Sequence, residues 1–489
     1  MGARASKPLK RVDDFRLVLY ESDGLFRSFY PLSLTRPVCH LRLGAGTIGA
    51  RIARAIDIAP ELVLAHPMFE WEDICPPVED GAQTEPSGGP PFPVPGPGKK
   101  SARLLTGGRL SYATIFLSSG FIPEKGAIGG DLPADKGLFF KDESGRLVGY
   151  YLPPGGGVFD GDALRNPSEK GIASRTGLDF KRVKVGGKRF DFLWEIIEAN
   201  PAELCRDIDE IVSKMADTER GEVHPLAARI GEGHIVVSEG AVVEPFALLD
   251  CSAGPICLGP DVLVKAHSRI EGPAFIGEGT HVYGAQVRNG CSIGNHCRIG
   301  GEIGQSILHG FVNKYHDGFL GHSYVGAWVN FGAGSTNSDL KNNYRPVRVV
   351  HPDGEVETGL TKVGAFIGDH VKTGIGTLMG TGFVCGAGSN LFGGNGVFPK
   401  WIPSFAWGDG RTMEAYRFKD FEEAARVILE RRGVEMTVRY RRLLRRVFDM
   451  TAGERNAFAG DRSSGRKTDG GTRSPGRGRR RTTRGRTIS

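Results

Sequence analysis

The chain has no run of about 18 apolar residues, which a membrane-crossing helix requires, and its N-terminus lacks the apolar core of a signal peptide. The expected compartment is the cytoplasm. Met1 to Ser6 matches the myristoylation pattern at three fixed positions, but one acyl chain would anchor only marginally. Eight cysteines include no Cys-x-x-Cys pair, which removes the commonest zinc and thiol-redox signatures. Cys291 and Cys297 stand one six-residue step apart, each four places after an apolar residue (Val287, Ile293). That is a slot for small, inward-packed side chains. Net positive charge is confined to one place. The formal net charge is +7, yet Arg462 to Ser489 holds ten Arg or Lys against one Asp. The folded part is therefore near neutral, and the basic character belongs to a tail.

Glycine is what the chain has in excess. There are 72, roughly twice the usual ~7%, concentrated between residues 230 and 400. Apolar residues recur there every sixth place: Ile230, Val236, Val242, Leu248; Leu258, Val264, Ile270, Ile276, Val282; Val287, Ile293, Ile299; then Ile367, Thr373, Met379, Cys385, Leu391, Val397. Six is neither the helical nor the strand period, so the pattern predicts a solenoid. Each hexad makes one flat side, three make a coil, and coils stack at the ~4.8 Å strand spacing of a left-handed parallel β-helix. Thr336 to Lys362 break the phase and are expected as a loop ejected from a coil. Phe398 to Pro403 cap the pattern.

Ahead of the solenoid, Phe15 to Ala55 reads strand, loop, helix. Arg16 to Tyr20 is the strand, and Thr47 caps a helix carrying Ile48, Ile52 and Ala55. An α/β nucleotide-binding domain begins this way. Residues 75–100, dense in Pro and Gly, read as a flexible insertion. Asp191 to Asn200 has helical spacing, with Trp194 in the core, and Pro201 suits the first position of a second helix carrying Leu204, Ile208, Ile211 and Met215. Met413 to about Phe448 reads as helical, with Phe418, Phe421, Ala425, Ile428 and Leu429 on one face. The expected organisation is an α/β domain (1–222), a β-helix (223–410), a helical segment (411–451) and a disordered basic tail (452–489).

The chemistry is expected at the coil Lys314 to Ser335, where Lys314, His316, Asp317 and His322 precede Gly332-Ala333-Gly334. Acyl transfer from a thioester to an amine needs a base, amides for the oxyanion, and a way to hold both substrates. His316 supplies the base, and the Gly-Ala-Gly turn supplies amides. His267, His281 and His296 are expected on the surface at coil corners, without the spacing of a zinc site.

These segments resemble a known family. His316, sixteen residues, then Gly-Ala-Gly looks like the bifunctional GlmU family, which joins a uridyltransferase domain to a β-helical glucosamine-1-phosphate acetyltransferase. His316-Asp-Gly-Phe-Leu-Gly-His stands where the family has His-Leu-Thr-Tyr-Leu-Gly-Asp. The resemblance implies His316 as general base and Phe319, Lys314 and, on looser alignment, Arg288 toward substrate. It implies Ala333, Gly334 and Gly374 as backbone partners of acetyl-coenzyme A. The family's Asn-Tyr falls at Asp339 without gaps, or at Asn343 and Tyr344 with a longer loop; the latter is the expectation. Tyr30 to Pro37 resembles the Pro-Leu-Thr…Arg-Pro segment of sugar nucleotidyltransferases, which implies Arg27 and Arg36 toward nucleotide. The family's glycine-rich loop is absent, since Glu21 to Arg27 holds one glycine. Its metal-binding Asp has no clear counterpart near Thr106 to Arg109, and Asp131 and Asp162 are spare candidates. The domain is expected to be degenerate, with Mg²⁺ needed only if it is active. The resemblance also implies a homotrimer. One rival reading is a sugar-1-phosphate nucleotidyltransferase with the β-helix as scaffold. Another is a non-catalytic scaffold whose tail binds nucleic acid through phosphate contacts.

Overall fold

The computed structural model describes residues 15–58, 60–64, 112–129, 132–156, 166–351, 354–393 and 396–464. The 75–100 insertion, Thr106 to Arg109, Asp131, Asp162, the first fourteen residues and those beyond Ser464 lie outside them.

The first domain is built on β1 (Phe15–Tyr20), whose side chains are buried on both faces. It lies between β2 (Pro60–Leu64) and β3 (Ala113–Ser118), all three parallel. The sheet continues as a mixed one through β4 (Gly137–Lys141), β5 (Leu147–Leu152) and β6 (Phe180–Lys184), in the order β2-β1-β3-β5-β4-β6. A short helix α1 (Asp23–Ser28) follows β1 directly, capped by Ser22 Oγ on the Leu25 N–H. It stands where a phosphate-cradling loop would. Helix α2 (Ile48–Ile56) starts at Thr47, whose hydroxyl accepts from the Ala50 N–H, and packs Ile48 and Ile52 beneath β1 and β3. The opposite sheet face is covered by Ile172 of α3 (Glu169–Thr176).

The two helices expected on either side of Pro201 are one, α4 (Leu193–Ser213), with Pro201 inside it. A mid-helix proline removes one hydrogen bond and normally kinks or breaks the helix. Here Leu193, Ile196 and Ile197 on one side and Leu204 and Ile208 on the other are all buried, and that packing holds both halves. Arg51 of α2 ties α4 down by ion pairs to Glu203 and Asp207.

From residue 222 to 408 the chain winds into about ten coils of a left-handed β-helix. Its first face runs through Leu263–Val264, His281–Val282, Arg298–Ile299 and Asn313–Lys314; its second through Arg269–Glu271, Gln286–Val287, Glu302–Gly304 and Phe319–Gly321. The third face has nine strands, from Ile235–Val237 to Trp401–Ile402. Parallel pairing in register stacks the inward residues in columns, such as Leu258, Ile276, Ile293, Leu308 and Val325. Cys291 and Cys297 are fully buried in this interior, and burial pushes their thiols up to about 12 and about 11.

The phase at the start of the solenoid needs correction. Val237, Val243 and Leu249 point inward, while Val236, Val242 and Leu248, one residue earlier, point out, and Ile230 is exposed. A one-residue slip reverses every side chain on a strand. Val236 misleads because it is buried all the same, against Leu204 and Ile208 of α4. The outward column of the third face repeats this: Cys257, Phe275, Ile307, Tyr324, Phe366 and Val384 are all buried, the last four in one core with the first domain.

The ejected loop begins only after Thr336–Asn337, which still pairs with Leu378–Met379. It forms a hairpin of Arg348–His351 on Gly354–Glu357, and Val347 and Val349 bury themselves in the first domain's core. The C-terminal segment is not one helix. Met413–Ala415 extends the first-face sheet, and α5 (Phe418–Glu430) and α6 (Val438–Met450) follow, separated at Gly433 with φ +70°. The expected tail opens as α7 (Ala452–Ser464). Its Arg455, 7% exposed, donates to Thr451 Oγ1 and stacks over Phe448. No helix among the described residues is long and apolar enough to cross a membrane.

Candidate active site

His316 stands at the corner between the first and second faces, exposed, its ring edge-on to Tyr315 with centroids 5.1 Å apart. The Gly332-Ala333-Gly334 turn lies one coil above, because the Gly334 N–H donates to Asp317 O (2.9 Å). Gly374 lies one coil further. A β-carbon on Gly332 would come within 2.5 Å of the Gly374 carbonyl carbon, so glycine is required for the coils to close at this corner. The corner therefore aligns His316, Gly332 to Gly334 and Gly374.

Three of the expected amides are spent. The Gly332 N–H donates to Thr373 O and the Gly334 N–H to Asp317 O, and the Gly374 N–H donates to Leu391 O (2.6 Å). Among the described residues no backbone carbonyl takes the Ala333 N–H. Of the expected amides, that of Ala333 is the one left without a backbone partner.

Lys314 is also corrected. Its strand partner is Ile299, so it occupies an inward place, 2% exposed. Its ammonium donates to Gly300 O (3.0 Å) and to His316 O (2.6 Å), and burial pulls its pKa down to about 8. It does not reach outward to a substrate. It holds the backbone of the His316 corner from inside.

On the second face, Phe319, Gly321, Gly304 and Arg288 point outward on neighbouring coils. Gly304 and Gly321 make a floor without side chains. A β-carbon on Gly321 would lie 2.3 Å from Phe319 Cζ and 2.6 Å from Asp339 Oδ2. Arg288 borders this floor, paired with Glu302 at 2.7 Å, both half-exposed. Asp339 closes it on the later coil and accepts from His322 Nδ1 at 2.7 Å. Burial raises the Asp339 carboxyl, but the hydrogen bond from His322 and the charges of His322 and Lys362 outweigh that and hold it below its usual range.

Asn343 and Tyr344 stand elsewhere. They sit in a turn of the ejected loop, where Asn343 Oδ1 accepts from the Arg345 N–H and Tyr344 is 71% exposed. The gapless alternative, Asp339, is the one beside Phe319. The His322–Asp339 pair stands at the place that gapless spacing gives to Asp339, and no sequence motif marks it.

In the first domain, a cleft of about 450 Å³ opens at the carboxyl ends of β1 and β3, the usual ligand position in an open α/β sheet. Ser22, Ser118, Arg146, Arg189 and Asp191 line it. Its arginines are paired: Arg189 with Asp142 (2.8 Å) and Asp191 (2.9 Å), Arg146 with Asp191 (3.1 Å). Neither arginine expected at a nucleotide lines it. Arg27 is exposed on α1, and its carbonyl accepts from His351 of the ejected hairpin. Arg36 lies in the seam between the domains, its side chain 11% exposed, ion-paired with Asp369 of the solenoid. The segment Tyr30 to Pro37 thus serves as a clasp, together with Tyr324 OH donating to Arg42 O and Asn200 bridging Gly44 and Gly290. Among the described residues no group of three or more His, Cys, Asp or Glu is arranged to hold a metal ion; His281 faces outward on the first face rather than at a corner.

No protein-family model matches the chain. It is similar to a bifunctional sugar-1-phosphate nucleotidylyltransferase/acetyltransferase of Sulfurisphaera tokodaii, 25% identical over 232 residues, 41% of this chain and 58% of that protein. It is similar to the bifunctional protein GlmU of Bordetella parapertussis, 30% identical over 270 residues, 51% of this chain and 54% of that protein. GlmU of Methanococcus maripaludis is 29% identical over 205 residues, 41% and 42% of the two chains. The chain spans about half the length of the curated relatives it matches. Among solved structures, the Francisella novicida UDP-N-acetylglucosamine acyltransferase overlaps 43% of this chain and 74% of its own at 13% identity and a TM-score of 0.23; the solenoid is read from its own coils.

Proposed function

We propose that the chain is a GlmU-like transferase whose solenoid moves an acetyl group from acetyl-coenzyme A to the amine of an amino-sugar phosphate. The observation that carries this is the stacking of the His316 corner under the Gly-Ala-Gly corner, held by the Gly334 N–H on Asp317 O. It sets an exposed imidazole one coil from a free backbone N–H. The acceptor amine attacks the thioester carbonyl, and His316 takes the proton that the nitrogen sheds. The carbonyl oxygen, now an oxyanion, receives the Ala333 N–H. Collapse expels the coenzyme A thiolate, which takes the proton back from the imidazolium. Lys314 positions the corner, Gly374 gives the thioester arm room beside the turn, and Phe319, Arg288 and the His322–Asp339 pair border the open face.

A thiol-release assay with acetyl-coenzyme A and a panel of amino-sugar phosphates tests this. His316→Ala should lose about 100-fold or more, the contribution of a general base, with its melting temperature unchanged. No thiol release with any acceptor would sink the reading. Assembly as a homotrimer belongs to the same proposal, and light scattering on the full chain checks it.

A second reading, sugar-1-phosphate nucleotidyl transfer, is favoured only by the cleft at the ends of β1 and β3. Arg146→Ala and Arg189→Ala are its test. Pyrophosphate release that falls in both while thiol release stands would assign that activity to the first domain.

A further inference from the structure

The outward column of the solenoid's first face carries His281, Arg298, Asn313, Asn330 and Lys372 on successive coils. Asn313 donates to Asn330 Oδ1 (2.6 Å). The C-terminal end of α5 leans over this column and leaves a cleft of about 580 Å³. Phe311 and Trp328, stacked at 4.0 Å, form one wall. Lys372 rises from the floor, and Arg431 and Arg432 come from the helix end. Among the described residues no carboxylate lines the cleft, and none of these three cations has an ion-pair partner.

Cations are favoured at a helix C-terminus, which accounts for Arg431 and Arg432. It does not account for Lys372, on a separate strand, or for Arg298, whose charge acts on Arg432. Arg298 and Arg431 both act against the charge on Arg432. Burial, then Arg298, lowers the affinity of Arg432 for its proton, and burial lowers that of Lys372. His281 and His296 are lowered in turn by burial and by Arg298, with Arg432 contributing. Like charges gathered in a half-buried cleft cost stability unless an anion relieves them.

We propose that this cleft binds the phosphate of a phosphorylated ligand, with Lys372, Arg431 and Arg432 on the phosphate oxygens and Asn313 and Asn330 orienting the group attached. Asn313 precedes His316 by three residues on the same coil, about 10 Å of extended chain, a span that one phosphorylated substrate bridges. Two molecules qualify, the amino-sugar phosphate and coenzyme A. Which one it is rests on the acyltransfer reading; the site itself does not.

Calorimetric titration of the full chain with glucosamine 1-phosphate, glucosamine, coenzyme A and pantetheine separates the cases. A phosphate-bearing probe should bind wild type, lose about 10-fold or more in both Lys372→Gln and Arg432→Gln, and outbind its phosphate-free counterpart. Loss confined to the sugar phosphate assigns the acceptor, and loss confined to coenzyme A assigns the donor. Arg432→Lys, which keeps the charge, should retain most binding, and thermal melts confirm that each variant is folded. Equal affinity in wild type and both variants, or no phosphate probe bound at millimolar concentration, would overturn the site. If no variant or wild type releases thiol yet Arg432 still governs binding, the acyltransfer reading falls and the phosphate site stands.

Discussion

The second and third faces of the solenoid share a period, a coil and an inward column, and differ only in what points out. On the third face Cys257, Phe275, Ile307, Tyr324, Phe366 and Val384 are buried against the first domain. On the second, Arg269, Gln286 and Glu302 meet solvent, and Gly304 and Gly321 bear nothing. The inward residue of each hexad specifies the coil. The residue beside it specifies whether that side is a seam or an open surface.

The largest effect should come from charging the covered face. Phe366→Asp places a carboxylate at a site 1% exposed beside Trp194, and should cost about 4 kcal/mol or more. Gln286→Ala on the open face should stay within about 0.5 kcal/mol. Denaturant midpoints read both, and equal losses would erase the distinction. Next is the seam's ion pair. Arg36→Ala leaves Asp369, 2% exposed, without its counter-charge and should cost about 3–5 kcal/mol, whereas replacing both by Met and Leu should recover most of it.

A smaller effect separates the interior from both faces. The Lys314 amine is lowered from 10.5 to about 8, so between those values the unfolded chain binds the proton that the folded chain sheds. Wild-type stability should therefore rise with pH from about 8 to 10.5, by roughly 2–3 kcal/mol more than Lys314→Met does. Parallel curves for the two proteins would show that the lysine is not titrating inside. The smallest effect is on the open face itself: Arg288→Ala breaks a half-exposed pair and should change stability by no more than about 0.5 kcal/mol.

The same contrast explains what was legible in the sequence. From Leu258 to Ile299, and again from Ile367 to Leu391, a repeat imposed by interior packing announced the coils. It slipped at Val236, Val242 and Leu248 because Val236, on an outward place, is also apolar, and nothing local says that α4 covers it. Pro201 reads as a helix start for the same reason: packing on both sides of it is long-range information. At the site, His316 and the Gly-Ala-Gly turn were legible by spacing. Lys314 was not, since a polar residue at an inward step reads as a loop residue until its carbonyl partners are seen. Asp339 rather than Asn343 stands beside Phe319 and Gly321, because the coil keeps gapless spacing through Thr336–Asn337 and the loop leaves it only afterwards.

The seam along the third face has a consequence for how this molecule can change. A free-standing solenoid tolerates gain or loss of a coil, because each repeat touches only its neighbours. Here the first domain, α4 and the ejected hairpin grip the coils from Val236 to Val384. They act as a ruler. Adding one coil anywhere along that span would shift every later contact of the seam by a strand spacing, setting Arg36 against the wrong corner and Tyr324 away from Arg42. The number of coils is thus fixed from outside, and the two domains are bound to unfold, and to evolve in length, together.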